Sequence, residues 1–410
     1  MTRVSIDEAL DPDAARVLLT RDAAGRPVAA QFDMEALPRV EPLLLGKPAA
    51  EVPHLVERLC GICPQAHHLA GVRALEALAG VTPPPAAELV RGILHHAAVL
   101  ATHALTWLPA RPEPAVKLVR FAKLVMAAAG SPGHFPATAI VGGVSAAVAD
   151  GDRERCLEAL PNILETALAI AADGDDGPGS PCALADVGLV DGNGNPALYG
   201  SRLRAVAPDG AVLAEGGPAE FEALIAEEFP GAPAPRPFLA ELGSRQGGYR
   251  VGPAAQLRLG TLQTPQAATA QAAWLAGPQP AGQARAIVCV HAVERIAADF
   301  TVLGETPPAQ PAAVHPVSPG QLAGRTGTGW VDSARGLLAH RYQTDAQGNV
   351  VAATILTPTA QNEPWLAQML LRAAGGANPE AAMAAAIRAA DPCLPCASAP
   401  PGKMAVRIEG

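Results

Sequence analysis

The chain has 410 residues, a formal net charge of -9 and 49% hydrophobic residues, but only 3% aromatic ones. That length holds one large domain or two to three small ones, and the acidic balance disfavours nucleic acid and anionic membranes as main partners. No apolar run reaches the roughly 18–20 residues that span a bilayer, and Met1-Thr-Arg-Val-Ser-Ile-Asp-Glu8 lacks the charged-then-apolar pattern of a signal peptide. A cytoplasmic protein without a membrane span is therefore expected.

An alanine-rich, aromatic-poor chain favours packed helices over sheets. Residues 1–50 are mixed, with a β-like piece at 28–32 and a hairpin turn at Ala24-Gly-Arg-Pro27. Residues 50–58 read as helical. Pro64 then stands where a new helix would begin, and 64–79 carry the stripe Leu69, Val72, Leu75, Leu78. Further helices are predicted at 85–108, 115–129 and 153–173. Ser131-Pro-Gly-His breaks the pattern, and Ile140-Val-Gly-Gly-Val reads as a close backbone approach. Residues 174–200 read as loop and short strand, and 229–237 as a proline-rich surface connection. Helices follow at 262–276 and 281–301, then a proline-rich loop at 304–320. Hairpin strands are predicted at 339–342 and Val350–Leu356 around the turn Asp345-Ala-Gln-Gly-Asn349. A helix pair, 364–374 and 379–390, leads to Asp391-Pro-Cys393. There is no internal repeat, and the prolines read as loops within one domain spanning 1–410.

Two Cys-x-x-Cys pairs stand near opposite ends: Cys60-Gly-Ile-Cys63 and Cys393-Leu-Pro-Cys396. A tight turn points both sulfurs of such a pair at one ion, and thiolates select zinc, copper(I), iron or nickel. Zinc clips usually place their pairs close together, so this separation favours one site closed by the fold; a zinc site and two unrelated thiol pairs stay open at this point. The other cysteines, Cys156, Cys182 and Cys289, read as ordinary buried thiols. His95, His96, His103 and His291 sit on helical patterns and are expected to be packed or solvated.

The flanks are more specific. Arg58-x-Cys60-Gly-x-Cys63-x-x-x-His67 and Asp391-Pro-Cys393-x-x-Cys396 resemble the two signatures of the nickel–iron hydrogenase large subunit, in the right order and at the right ends. The resemblance extends to Pro136 with Val141-Gly-Gly-Val144, to Tyr249-Arg-Val-Gly-Pro253, to Asp332-Ser-Ala-Arg335-Gly336 and to Pro358-Thr359-Ala-Gln-Asn362. It implies a mostly α (α+β) fold, a helical-bundle core with small peripheral β-sheets. It also implies that Cys60, Cys63, Cys393 and Cys396 hold nickel together with an iron carrying cyanide and carbon monoxide. Glu41, counted back from Cys60, would pass protons to and from a thiolate. Arg335 would overhang the metals, with Pro358, Thr359 and Asn362 near the iron diatomics. His67, on the helix face of Cys63, would donate to a sulfur. Taken singly, Glu41 and Arg335 are ordinary surface or ion-paired residues, and His67 beside His68 is ambiguous.

Several positions depart from the family pattern. Ala399 replaces the His or Arg that marks C-terminal processing, and the His of a magnesium-type site. Pro38-Arg-Val-Glu41 replaces Arg-Gly-x-Glu, and the N-terminal Arg-Ile-Glu-Gly-His strand that packs on a small subunit is not seen. Asp332-Ser-Ala replaces Glu-Ala-Pro, and Gln361 an aromatic. Kept ligands with altered processing and partner features resemble the HupK/HoxV branch. That resemblance implies a maturation scaffold holding the iron–cyanide–carbonyl unit, with other maturation proteins and a hydrogenase large-subunit precursor as partners. The alternative is a catalytic or hydrogen-sensing large subunit with an iron–sulfur small subunit.

Overall fold

The computed structural model describes residues 14–34, 39–58, 60–173, 182–232, 234–305, 314–394, 397 and 404–409. Cys396, Ala399, Pro38 and the segment before residue 14 lie outside them. The fold is mostly helical with small sheets, as expected.

Prolines start most of the helices. Pro64, Pro85, Pro112, Pro265, Pro358 and Pro379 each occupy a first helical position, where the missing N–H costs nothing. The helices are α1 (Val52–Val56), α2 (Pro64–Ala79), α3 (Pro85–Thr106), α4 (Pro112–Ala128), α5 (Asp150–Ala172), α6 (Pro265–Ala276), α7 (Ala281–Glu305), α8 (Pro358–Ala374) and α9 (Pro379–Ala390). Helices α3, α4, α5 and α7 bury one apolar cluster that includes Ile93, Leu100, Leu118, Ile163, Ile287 and Phe300. Each such fully buried side chain contributes about 1.5–3 kcal/mol.

Three predicted elements differ from the structure. The helix expected at 50–58 is a 3-10 turn, Ala49–Glu51, followed by the short α1, because the chain must turn toward Cys60. The helix expected from 364 begins at Pro358. Thr357 caps it by accepting from the Ala360 N–H, and its first turns carry Thr359, Gln361 and Asn362, so no apolar stripe announces them. The hairpin at 329–356 is a three-stranded antiparallel sheet of β11 (Thr326–Ser333), β12 (Gly336–Thr344) and β13 (Val350–Leu356). The four helical histidines His95, His96, His103 and His291 are all packed. Cys156 and Cys289 are buried, whereas Cys182 is only partly so.

Helix α2 lies directly on β11. A Cβ at Gly329 would overlap backbone atoms of Ala70, Arg73 and Ala74, and one at Gly327 those of Ala74 and Leu78. Only glycine permits this approach. It fixes the helix that begins at Cys63 against the strand that leads to Arg335.

A second sheet joins β5 (Ala185–Val190), β6 (Arg202–Val206), β7 (Val212–Gly216) and β10 (Tyr249–Arg250) in the order β10-β5-β6-β7. A third joins β1 (Ala14–Arg21), β2 (Pro27–Phe32) and β14 (Ala405–Glu409). Here β2 is antiparallel to β1, and β14 pairs with β1 in parallel from Ala14↔Ala405 to Leu18↔Glu409. Two short antiparallel pairs join β3 (Ala139–Ile140) to β4 (Gly143–Val144) and β8 (Ile225–Glu227) to β9 (Pro237–Leu239). The segment Arg407-Ile-Glu that the family resemblance places near the N-terminus is thus found at the other end of the chain, paired with the first described strand. Met404, Met369, Met383 and Val17 share the core beneath it.

Candidate metal centre

Cys60 follows α1 after the turn at Glu57 and Arg58, and Cys63 is the N-cap residue of α2. The Cys63 carbonyl accepts from the N–H groups of Ala66 and His67, tying the sulfur-bearing residue to the helix it starts. At the other end α9 stops because Asp391 adopts a left-handed conformation (φ 49°), and the chain then turns into Cys393. The Cys393 N–H donates to Thr359 Oγ1 at 2.8 Å, so the first turn of α8 holds the second cysteine loop in place.

Three of the four predicted ligands come together. Cys60 Sγ lies 3.3 Å from Cys393 Sγ and 2.8 Å from Cys63 Sγ, and all three are free thiols. Their protons are unequal. Hydrogen bonding from Cys393, then from Cys63, with His67 adding, holds Cys60 far below the ordinary thiol range. Cys63 is pushed well up as a donor to Cys393 and Cys60 in a buried position. Cys393 is pushed up to about 11, first by its bond to Cys60. One thiolate therefore forms readily, and the remaining protons leave when a cation takes their place.

Arg335 sits beside the sulfurs, buried, in the turn between β11 and β12. Burial alone would lower its pKa, but the Asp391 carboxylate and the three cysteines hold it above the ordinary value. Its Nε donates to the Asp391 carbonyl at 3.1 Å and its Nη2 to Asp391 Oδ1 at 3.2 Å. Its Nη1 is buried with no partner among the described residues. Asn362 accepts from the Val251 N–H at 2.8 Å, and Pro358 opens the helix that carries it. Val251, Arg335, Asn362 and Asp391 line a small cavity of about 20 Å³.

Glu41 stands apart from this group. It opens a 3-10 turn, Glu41–Leu43, half-buried, and no hydrogen bond joins it to Cys60, Cys63 or Cys393 among the described residues. Its acidic neighbour is Glu227, whose pKa is raised by burial and then by Glu41.

His67 resolves from His68. It reaches Cys60, while its Nδ1 lies 3.1 Å from His340 Nε2, and His340 Nδ1 lies 2.6 Å from the Tyr342 hydroxyl. One direction satisfies every atom: Tyr342 O–H donates to His340, His340 Nε2–H to His67, and His67 to Cys60. His340 and Tyr342 escaped sequence reasoning. They alternate on β12 so that both face inward, a pattern that reads simply as core. His340→Phe would strand the Tyr342 hydroxyl and His67 Nδ1 in a buried place. It is expected to cost about 2–3 kcal/mol in urea unfolding; a change under about 0.5 kcal/mol would rule out the chain of bonds.

A model of the nickel-dependent hydrogenase family matches residues 39–108. The chain is 30% identical to the vhuA-type component of the F420-non-reducing hydrogenase of Methanococcus voltae, covering 88% of this chain and 94% of that protein. It is 26% identical to NAD-reducing hydrogenase HoxS subunit beta of Cupriavidus necator, covering 95% and 93%. Among solved structures, an NAD+-reducing [NiFe]-hydrogenase in the H2-reduced state superimposes with a TM-score of 0.80 at 26% identity, over 92% of this chain and 95% of that one. A Ni-Fe-Se hydrogenase from D. vulgaris Hildenborough shares the fold, with a TM-score of 0.66 at 17% identity, over 92% of this chain and 95% of that one.

Proposed function

Because this chain belongs to the nickel-dependent hydrogenase large-subunit family, we propose that it is the metal-bearing subunit of a nickel–iron hydrogenase that oxidises or produces H2. The observation that carries this reading is the convergence of Cys60, Cys63 and Cys393 beside a buried Arg335 with an unpartnered Nη1. The residues suit the group: soft sulfurs for nickel and iron, and a free N–H for the nitrogen of an iron-bound cyanide. Cys60, Cys63, Cys393 and Cys396 would hold the two metals. When bound, the pair supplies a redox-active Lewis acid that polarises dihydrogen.

The chain's own side chains do the rest. The thiolates accept the proton released on heterolysis. Thr359 keeps Cys393 in register through its backbone, and His67 donates to Cys60. We assign the outward proton path to Glu41 and its neighbour Glu227, whose raised pKa suits a carboxyl that takes a proton and gives it up. Glu41→Gln is expected to slow turnover roughly tenfold with metal content intact; an unchanged rate would remove Glu41 from the path. Electrons require an iron–sulfur small subunit, and both proteins would sit in the cytoplasm, where cysteines stay reduced. No helix among the described residues is long and apolar enough to cross a membrane.

A second reading, a HupK/HoxV-like maturation scaffold that hands an iron–cyanide–carbonyl unit to a large-subunit precursor, draws support from one feature. The chain beyond the second cysteine pair ends in β14, which is built into the sheet with β1. A tail that belongs to a sheet suits a protein that is never cut. Metal analysis and infrared spectroscopy on protein from its host separate the two. Nickel and iron in equal amounts with hydrogen-dependent dye reduction are expected of the enzyme. Iron with cyanide and carbon monoxide bands, but no nickel and no dye reduction, would replace it with the scaffold.

A further inference from the structure

A second cluster of ligating side chains lies at the junction of α1 and α2, outside the cysteine group. His54 and Glu57 come from α1 and the turn after it, and His68 from the second turn of α2. His54 Nδ1, Glu57 Oε2 and His68 Nδ1 all lie within 4.8 Å of one another. Glu57 and His68 are buried, with 3% and 1% of their surface exposed, while His54 is open to solvent.

The hydrogen bonding at His68 leaves a problem at this spot. Its Nε2 is 2.7 Å from the Ala139 carbonyl oxygen. A carbonyl can only accept, so the imidazole proton is on Nε2 and Nδ1 presents a lone pair. That lone pair faces Glu57 Oε2 at 2.8 Å, and neither atom has a hydrogen-bond partner. Two buried acceptors at that distance repel unless something positive lies between or beside them. A proton on Nδ1 is one solution, but burial, first among the influences on His68, drives this imidazole toward its neutral form.

We propose that His54, Glu57 and His68 bind a divalent transition cation of the zinc, cobalt or nickel type, distinct from the thiolate-held metals. Two imidazole nitrogens and one carboxylate oxygen are a borderline donor set that such ions favour, with water completing the shell on the open His54 side. The distances need little adjustment. His54 Nδ1 is 3.7 Å from Glu57 Oε2, and ligands bound at roughly 2.0–2.2 Å in a tetrahedron stand about 3.4 Å apart. The Nε2–H to Ala139 bond is the outer contact that fixes the tautomer and orientation of a metal-binding histidine. The cation would pin α1 to α2 across the turn that carries Cys60 and Cys63. It would thus be a clip that holds the first thiolate pair in place.

Titration of the full-length chain with cobalt(II) under anaerobic conditions tests this. Cobalt on sulfur gives intense thiolate charge-transfer absorption, whereas cobalt on nitrogen and oxygen gives only weak visible bands, so the two sites report separately. The expected result is one equivalent beyond the thiolate site. Both His54→Ala and Glu57→Gln should weaken it at least about tenfold and leave the charge-transfer band in place. His54 is exposed, so its variant keeps the fold even if Glu57→Gln does not. No equivalent beyond the thiolate site, or a second equivalent bound equally well by His54→Ala, would overturn the proposal.

Discussion

Replacing Arg335 with lysine is expected to lower hydrogen-dependent turnover by about 10²–10³-fold while nickel and iron content stays the same. The guanidinium is spread over two tasks. Nε and Nη2 form a fork on Asp391, the residue whose left-handed turn sends the chain into Cys393. Nη1 is left over, buried beside the sulfurs and unpartnered. A lysine ammonium is a single point charge and would follow the Asp391 carboxylate, leaving no fixed N–H for a ligand or a developing charge at the metals. Dye reduction under hydrogen, measured alongside metal content, separates this from an assembly defect. If activity falls only in proportion to lost metal, Arg335 acts by holding Asp391 and the second cysteine loop, and the catalytic assignment fails.

Much of this site was legible in the chain because its parts are short and chemically specific. The two cysteine pairs, Arg335, Thr359 and His67 each sit where a turn or a helix start brings them in, and such local devices leave a trace in sequence. What was not legible depends on pairing at a distance. The contact of Gly327 and Gly329 with α2 needs both partners to be known, and a glycine in a strand announces only that something comes close. The His340–Tyr342 relay looks like core until His67 is placed against it. The first turns of α8 were missed because their polar residues are spent on neighbours: Gln361 on the Leu337 carbonyl and the Tyr249 hydroxyl, and Asn362 on the Val251 N–H. Periodicity reports burial of apolar side chains, and it is silent where a helix is anchored by hydrogen bonds. The same blindness hid the parallel pairing of β14 with β1, since nothing in either strand names its partner.

The largest stability effect should come from Glu76→Ala. Arg91 is fully buried on α3, and Glu76 on α2 meets it at 2.6 and 3.0 Å. The pair also organises the backbone between β3 and β4. Arg91 donates to the carbonyls of Ile140 and Gly143, and Glu76 accepts from the Gly142 N–H at 2.8 Å. Gly142 has a φ of +89°, and a Cβ there would overlap the His315 carbonyl, so this loop has no alternative path. Removing the carboxylate leaves a buried guanidinium and a buried amide without partners. The expected cost is about 3–5 kcal/mol, read as a lower denaturation midpoint at unchanged slope. Because Ala139 accepts from His68 in the same segment, the damage should spread to the α1–α2 junction. Replacing both partners with methionine should cost less than Glu76→Ala alone, since no charge is then left uncompensated. A double variant as unstable as the sum of the two single ones would show that packing volume, not the ion pair, ties α2, α3 and the glycine loop together.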